Sequence, residues 1–268
     1  MTARARKHGG AGCWGGLLFG IGVWVLLLPG SAGADVLANT IARIKPSIVG
    51  VGTVERTRRP PIVLRGTGFA VADGRHVLTN AHVVSVNLDG KDREFLAVFS
   101  GEGPQAQVRQ ARVVARDKVH DVALLKISGA PLPSMKIGDA GRVREGDRYA
   151  FTGFPIGMVL GLYPVTHRGI VSSITPVAVP ANTTRSLDSL VIKRLKHPYK
   201  VFQLDATAYP GNSGSPLYEV GTGRVVGIVN KVFVKGSKEN ALSKPSGISY
   251  AIPVTYAKAL LDKAGVKY

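Results

Sequence analysis

The chain has 268 residues, of which 45% are hydrophobic and 19% are charged, and its 35 Lys and Arg outnumber 17 Asp and Glu for a formal net charge of +18. This composition is too apolar for a disordered chain, and its 33 Gly and 16 Pro follow no collagen repeat, so it indicates a loop-rich globular protein. The single Cys excludes a disulfide framework within the chain.

The first 34 residues have the pattern of a secretory leader. Basic residues between Arg4 and Lys7 precede an apolar run over 17–28, and small residues follow it up to Ala34. The run is shorter than the ~20 residues that a bilayer span needs, so the pattern predicts cleavage after Ala34. An uncleaved inner-membrane anchor is the alternative. The cleaved leader predicts a periplasmic or secreted protein.

The remaining chain, 35–268, begins and ends with helical patterns. Apolar residues at helical spacing over 35–45 stop at Pro46, and a second such pattern covers 255–264. Between them, short runs rich in Val, Ile, Phe and Thr alternate with Gly, Pro, Asn and Asp, which indicates an all-β barrel or sandwich. These runs cover 48–54, 68–71, 95–99, 108–114, 122–127, 149–152, 165–173, 201–204, 225–234 and 248–252. Pro, Gly and charged residues over 131–146 suggest a seam between two β units.

A single serine, Ser213, stands in a Gly-rich segment just before an apolar strand. Acyl transfer needs such a setting, because a nucleophilic hydroxyl must face solvent while backbone N–H groups converge on the developing oxyanion. Gly211 permits a backbone conformation that a side chain would obstruct. The N–H groups of Gly211 and Ser213 are therefore the candidate oxyanion donors. By itself, the string Gly-Asn-Ser-Gly is more typical of an ordinary turn.

The serine needs a base, and His82 is the candidate. It follows a short apolar strand over 76–78, where the strand gives way to a helical turn. The base needs a buried carboxylate to orient it, and Asp121 lies immediately ahead of the run over 122–127. Asp117 is a rival for this role. The other histidines, His76, His120, His167 and His197, lack a comparable partner in the sequence. No metal-ligand spacing or phosphate loop stands out, so we expect no metal and no cofactor.

These motifs resemble those of the chymotrypsin-like serine peptidases, specifically the HtrA/Deg family, over nearly all of 35–268. The order His, Asp, Ser is that of this clan and differs from the order in subtilisins and α/β-hydrolases. The strings that carry the resemblance are Pro-Ser-Ile-Val from Pro46, Gly-Thr-Gly-Phe from Gly66, Thr-Asn-Ala-His-Val-Val from Thr79, Asp-Val-Ala-Leu-Leu from Asp121, Gly-Phe-Pro from Gly153, Gly-Ile-Val-Ser from Gly169, Gly-Asn-Ser-Gly from Gly211 and Ser-Tyr-Ala-Ile-Pro from Ser249.

The resemblance implies two packed six-stranded antiparallel barrels, over about 47–140 and 145–253, with a C-terminal helix over 254–265. It implies that His82 acts as general base and then acid, that Asp121 orients it, and that Ser213 is the nucleophile of an acyl-enzyme. Two features depart from the family. The PDZ domains that usually follow the peptidase are not present in the sequence after Pro253, and Ser215 stands where the branch usually has Gly.

The primary pocket, by the same resemblance, includes Thr207 and the strand Val229, Asn230 and Lys231. No carboxylate is evident there to pair a basic substrate side chain, so we expect small or medium apolar side chains. If Lys231 points inward, it favours acidic ones instead. The string around Ser213 also resembles the glutamate-specific bacterial peptidases, but those have a His in the strand that corresponds to 227–230, where this chain has Val229.

The predicted function is a serine endopeptidase of envelope proteins, in quality control or processing, with polypeptides as substrates. The alternatives are a catalytically silent peptidase fold used as a binding or chaperone-like module, and an esterase with the same triad. Basic clusters at 56–59 and 193–197 suit anionic envelope polymers, or are ordinary solvated surface. No basic motif with interleaved aromatic residues supports a specific nucleic-acid function. The sequence leaves the oligomeric state open.

Overall fold

The computed structural model describes residues 32–85, 94–156, 161–177, 198–230 and 247–268. All but the last three positions of the predicted leader therefore lie outside the described residues. Lys231, His197 and the basic cluster at 193–197 lie outside them too. No helix of the described part is long and apolar enough to cross a membrane.

The described residues form twelve strands in two closed antiparallel barrels. The first barrel has the strand order β1-β2-β3-β6-β5-β4, and the second repeats this order with its own six strands as β7-β8-β9-β12-β11-β10. The strands of the first barrel are β1 Ile48–Glu55, β2 Ile62–Val71, β3 His76–Thr79, β4 Glu94–Ser100, β5 Gln107–Asp117 and β6 Val122–Ile127. Those of the second are β7 Arg148–Gly153, β8 Val165–Pro176, β9 Lys200–Asp205, β10 Pro216–Glu219, β11 Val225–Val229 and β12 Ile248–Pro253. The expected all-β, two-barrel fold is confirmed.

Two helices flank the barrels in the described part, α1 Ala32–Ile44 and α2 Val254–Lys263. A short 3-10 turn at Lys45–Ser47 follows α1 directly, because Pro46 at its second position does not continue the regular α-helix. Helix α2 buries Val254, Ala257, Leu260 and Leu261 at helical spacing. Both predicted helices are present. Helix α1 begins three residues earlier than its sequence pattern indicated, and α2 begins one residue earlier.

Three hydrophobic clusters hold this arrangement together. One fills the first barrel and includes Val77 and Leu125, and another fills the second and includes Phe151 and Leu217. The third and largest combines residues from both barrels with the buried face of α2. Strand β6 is apolar at every position except Lys126, because alternate residues belong to the first-barrel cluster and to the shared cluster, so both of its faces are buried.

The strand predictions are incomplete at three places. Strand β2 begins at Ile62 rather than at Gly68, because Arg65 is an extra residue at a bulge opposite Val51 and Gly52 and interrupts the apolar pattern. Strand β10 is only four residues long, and the apolar strand expected after Ser213 had no predicted bounds. Strand β11 ends at Val229 in the described part, and the predicted continuation over 231–234 lies outside it.

Candidate active site

His82 lies in a tight turn directly after β3. The turn is closed by hydrogen bonds from the Val83 N–H to the Asn80 carbonyl at 3.2 Å and from the Ser85 N–H to the His82 carbonyl at 3.3 Å. The guanidinium of Arg65, on the neighbouring strand β2, donates to the Val83 carbonyl at 3.2 Å. The His82 side chain remains 38% exposed, so part of the ring is open to solvent.

Asp121 binds His82 with both carboxylate oxygens. Its Oδ2 lies 2.6 Å from His82 Nδ1, and its Oδ1 accepts from the His82 backbone N–H at 2.8 Å. An ionised carboxylate can only accept, so the Nδ1 proton points to Asp121 and the neutral ring presents Nε2 as an acceptor. This pair of bonds fixes both the tautomer and the orientation of the imidazole.

The backbone of Asp121 is itself unusual and is anchored by Asn80. Asp121 has a φ of 57°, in the left-handed region that few residues other than Gly adopt. Its carbonyl accepts from Asn80 Nδ2 at 3.0 Å and from the Ala81 N–H at 3.2 Å, and Asn80 is fully buried. The string around His82 contains Asn80, but no role for it was predicted. The signal in the sequence was an amide side chain two residues before the candidate base.

Ser213 lies in a loop whose backbone is tightly constrained. The Asn212 N–H donates to Tyr209 at 3.0 Å, the Ser215 N–H donates to Asn212 at 3.0 Å, and the Gly214 N–H donates to the Val229 carbonyl at 2.8 Å. Gly211 and Gly214 have φ values of 102° and 92°, which glycine alone adopts readily. Both glycines around the serine are therefore required by the backbone path.

Strand β2 brings the serine loop and the His82 turn to the same place. A Cβ built on Gly66 would lie 2.7 Å from the Ser213 carbonyl oxygen and 2.7 Å from Val83 Cγ2. The two segments can approach this closely because Gly66 has no side chain. The next residue, Thr67, accepts Thr79 Oγ1 at 2.6 Å and donates its N–H to the Ser213 carbonyl at 2.8 Å. Among the hydrogen bonds of the described residues, none joins the Ser213 hydroxyl to the His82 ring.

Comparison with known proteins identifies the family of the chain. A family model described as a trypsin-like peptidase domain matches residues 66–228, which is more than half of the chain. The chain belongs to the trypsin-like peptidase family. Its relatives and structural neighbours identify the domain as a chymotrypsin-like serine peptidase of the HtrA branch, so the family resemblance seen in the sequence is confirmed.

Two curated relatives and one solved structure illustrate the similarity. The peptidase domain is 31% identical over 198 residues to a probable periplasmic serine endoprotease, DegP-like, of Halomonas elongata, with 74% of this chain and 34% of the relative covered. It is 33% identical over 192 residues to the protein of the same description from Pseudomonas putida, with 72% and 33% covered. An HtrA-type protease solved with a tripeptide superposes with a TM-score of 0.61 at 25% identity, covering 85% of this chain and 62% of that one. The chain thus spans about a third of the length of these curated relatives.

The predicted pocket residues of the peptidase domain fall in different surroundings. Val229 is fully buried in the core of the second barrel, whereas Thr207 and Asn230 are partly exposed. The Asn230 N–H donates to the Tyr250 carbonyl at 2.8 Å, which continues the pairing of β11 with β12. Lys231 lies outside the described residues. The assignment of these residues to a substrate pocket stays a prediction.

Two other histidines of the peptidase domain have carboxylate partners after all. His120 Nδ1 lies 2.6 Å from Asp117 Oδ2, and His76 Nδ1 lies 2.7 Å from Asp73 Oδ1. The expectation that these histidines lack a partner is therefore wrong. The reason is local, because each aspartate lies three residues before its histidine in a turn. Asp117 is engaged with His120, so the rival to Asp121 is bound elsewhere.

His167 has an apolar environment instead of a partner. Its ring stacks on Phe151 with centroids 4.9 Å apart, and burial lowers its pKa. Nε2 is buried with no hydrogen-bond partner. In the part of the chain that the structure describes, no group of three or more His, Cys, Asp or Glu is placed to hold a metal ion.

Proposed function

We propose that this chain is a serine endopeptidase in which Ser213, His82 and Asp121 act together. The observation that carries the proposal is the grip of both Asp121 oxygens on His82, at 2.6 Å and 2.8 Å, in a turn that faces the Ser213 loop across Gly66. A hydroxyl is a weak nucleophile until a base takes its proton, and this arrangement supplies an oriented base beside a serine in a glycine-rich loop.

In the proposed reaction, His82 Nε2 takes the proton from Ser213 Oγ as that oxygen bonds to the carbonyl carbon of the scissile peptide. The carbonyl oxygen becomes an oxyanion, to which the N–H groups of Gly211 and Ser213 donate. The imidazolium, stabilised by Asp121, then gives its proton to the leaving amine as the C–N bond breaks. A water molecule, deprotonated by His82, hydrolyses the resulting ester and regenerates the serine.

The substrate class follows from the same site. The protein relatives are named serine endoproteases, which supports polypeptides as substrates. We expect cleavage after small or medium apolar side chains, because Thr207 and Asn230 offer no negative charge for a basic one. A peptide-library profile is the measurement, and cleavage mainly after Arg or Lys would contradict this part of the proposal.

The compartment is proposed from the leader and from the relatives, which are described as periplasmic. Envelope proteins would then be the substrates, and the basic cluster at 56–59 would face anionic envelope polymers. N-terminal sequencing of the exported protein tests the leader, with Asp35 expected as the first residue. A mature protein that retains Met1 would favour the anchored alternative.

The decisive experiment is labelling with a fluorophosphonate probe, which reacts only with an activated serine. We expect the wild type to be labelled and Ser213→Ala to be unlabelled. Ser215→Ala is the matched control, because Ser215 lies two residues away, is fully buried, and should leave labelling intact. Absence of labelling in the wild type would contradict the proposal and favour a catalytically silent binding module.

A further inference from the structure

Thr67 is fully buried at the seam between the barrels, and every polar group it has is engaged there. Its N–H donates to the Ser213 carbonyl at 2.8 Å, and its carbonyl accepts Thr79 Oγ1 at 2.6 Å. Its hydroxyl donates to the Gly211 carbonyl at 2.7 Å and accepts the Phe154 N–H at 3.0 Å. One residue of the first barrel thus contacts the serine loop at two points.

The serine loop needs such external contacts because of Gly211. Glycine adopts many backbone conformations at similar energy, so the peptide units on either side of Gly211 can rotate. Each peptide unit is planar and trans, so its N–H points opposite to its C=O. The direction of the Gly211 N–H, a proposed oxyanion donor, therefore depends on what holds the neighbouring carbonyl groups.

Both of those carbonyl groups are held from outside the loop. The Pro210 carbonyl accepts the Ile156 N–H at 2.7 Å, and the Gly211 carbonyl accepts the Thr67 hydroxyl. The first bond orients the unit that carries the Gly211 N–H, and the second orients the unit after it. The two bonds together restrict rotation at Gly211.

The Thr67 hydroxyl lies in closely packed surroundings. A Cβ on Gly153 would lie 2.8 Å from Thr67 Oγ1 and 2.9 Å from Asn212 Oδ1, so the hydroxyl occupies a closely packed space. Loss of the hydroxyl would leave the Gly211 carbonyl and the Phe154 N–H without this partner in a buried site. Unpaired buried polar groups cost free energy, so the backbone around them rearranges or the fold loses stability.

From these contacts we infer that Thr67 is a positioning residue for the oxyanion donors: its hydroxyl holds the Gly211 carbonyl so that the Gly211 N–H faces the reacting carbonyl. This inference rests on the proposed function. It assigns to the first barrel, which supplies the proposed base, a second task in the geometry of the serine loop.

The test compares Thr67→Val, which keeps the shape and loses the hydroxyl, with Thr67→Ser, which keeps the hydroxyl. For hydrolysis of a peptide substrate we expect Thr67→Val to lower kcat about 10²- to 10³-fold with KM changed less than about threefold, the range seen when one oxyanion donor is lost. Thr67→Ser should restore kcat to within about fivefold of wild type, and wild-type kcat in Thr67→Val would overturn the inference.

Thr152→Val is the matched control, because Thr152 is equally buried and its hydroxyl also makes two hydrogen bonds, to Thr166 and Tyr218. It should retain kcat even if it loses stability. If Thr67→Val does not fold, Thr67→Ala and Thr67→Ser form the replacement pair, since the hydroxyl again distinguishes the two variants. Equal kcat in that pair would overturn the inference.

A second readout does not depend on activity. Amide hydrogen exchange over 209–215 and at Phe154 should be at least about tenfold faster in Thr67→Val than in wild type or Thr152→Val. Unchanged exchange would overturn the inference even if the protein were catalytically silent. Conversely, a wild type that no phosphonate labels, with faster exchange in Thr67→Val, would overturn the proposed function and leave the structural role of Thr67 standing.

Discussion

Two aspartates, Asp117 at the end of β5 and Asp121 just before β6, each bind a histidine, and both pairs have a distance of 2.6 Å between Nδ1 and Oδ2. Asp121, just before β6, binds His82, which follows the neighbouring strand β3, whereas Asp117 binds His120 within a single turn. By distance alone the two pairs are equivalent, so a short hydrogen bond does not distinguish a catalytic pair from a structural one.

The surroundings of the two imidazoles make the difference. The His120 ring stacks on Tyr256 of α2 at 3.9 Å and meets Tyr199 edge-on at 4.8 Å, so aromatic rings pack against it. The His82 ring makes no such contact among the described residues, and it belongs to the turn in which Val83 approaches Gly66 next to the Ser213 carbonyl. A carboxylate–imidazole pair becomes a base for catalysis only where a nucleophile can approach its second nitrogen.

Replacing each histidine with alanine should produce the largest difference in turnover between the two pairs. We expect His82→Ala to lower turnover of a peptide substrate by about four to six orders of magnitude, because the hydroxyl then has no base. His120→Ala should stay within a few-fold of wild type. Steady-state assays at matched protein concentration measure both, and a loss in His120→Ala as large as that in His82→Ala would remove the distinction.

Replacing the two aspartates should also affect turnover unequally, with a smaller difference than that between the two histidine variants. Asp121→Asn keeps the shape but changes the hydrogen bond to Nδ1, so we expect turnover to fall about 10³- to 10⁴-fold. Asp117→Asn should leave turnover nearly unchanged. The same assay decides, and normal turnover by Asp121→Asn would show that the grip on His82 has no catalytic role.

The aromatic contact of His120 should matter for stability alone. Tyr256→Leu removes the ring stacked on His120 and keeps an apolar side chain, so we expect the free energy of unfolding to fall by about 1 kcal/mol with turnover unchanged. Urea denaturation measures the change. If the double variant with His120→Ala lost no less than the sum of the two single losses, the stacking would carry no energy of its own.

The smallest expected effect is a change in the pH dependence of stability. Burial by itself would raise the pKa of Asp117, but hydrogen bonds from the His120 ring and from the backbone N–H groups of His120 and Val119 lower it below its ordinary value. The ionised carboxylate therefore stabilises the fold above about pH 3.9, and this contribution is lost as the pH falls through the lowered pKa.

Asp117→Asn should consequently be less stable than wild type at pH 7 and should approach it in strong acid. Denaturation curves between pH 7 and pH 2 measure the difference, which should shrink as the pH falls. A difference that stayed constant across this range would show that the carboxylate charge is not responsible.

Residues close to a clear motif were predictable from the sequence. The period-two apolar runs indicated the β fold. The strings around His82 and Ser213 stood out because a histidine and a serine among glycine and other small residues are not explained by packing. The bounds of β10 and the early start of β2 were not predicted, since β10 is very short and β2 is interrupted by a bulge at Arg65. Local periodicity carries no signal at such places.

The tertiary structure decided which residues meet. The sequence by itself determined the class of fold and the candidate chemistry, because hydrophobic period and turn residues act over a few positions. It did not determine that Asn80 anchors Asp121, 41 positions away, or that Thr67 holds Gly211, 144 positions away. The first contact depends on the pairing of β3 with β6, and the second depends on how the two closed barrels pack against each other, so both are properties of the whole fold.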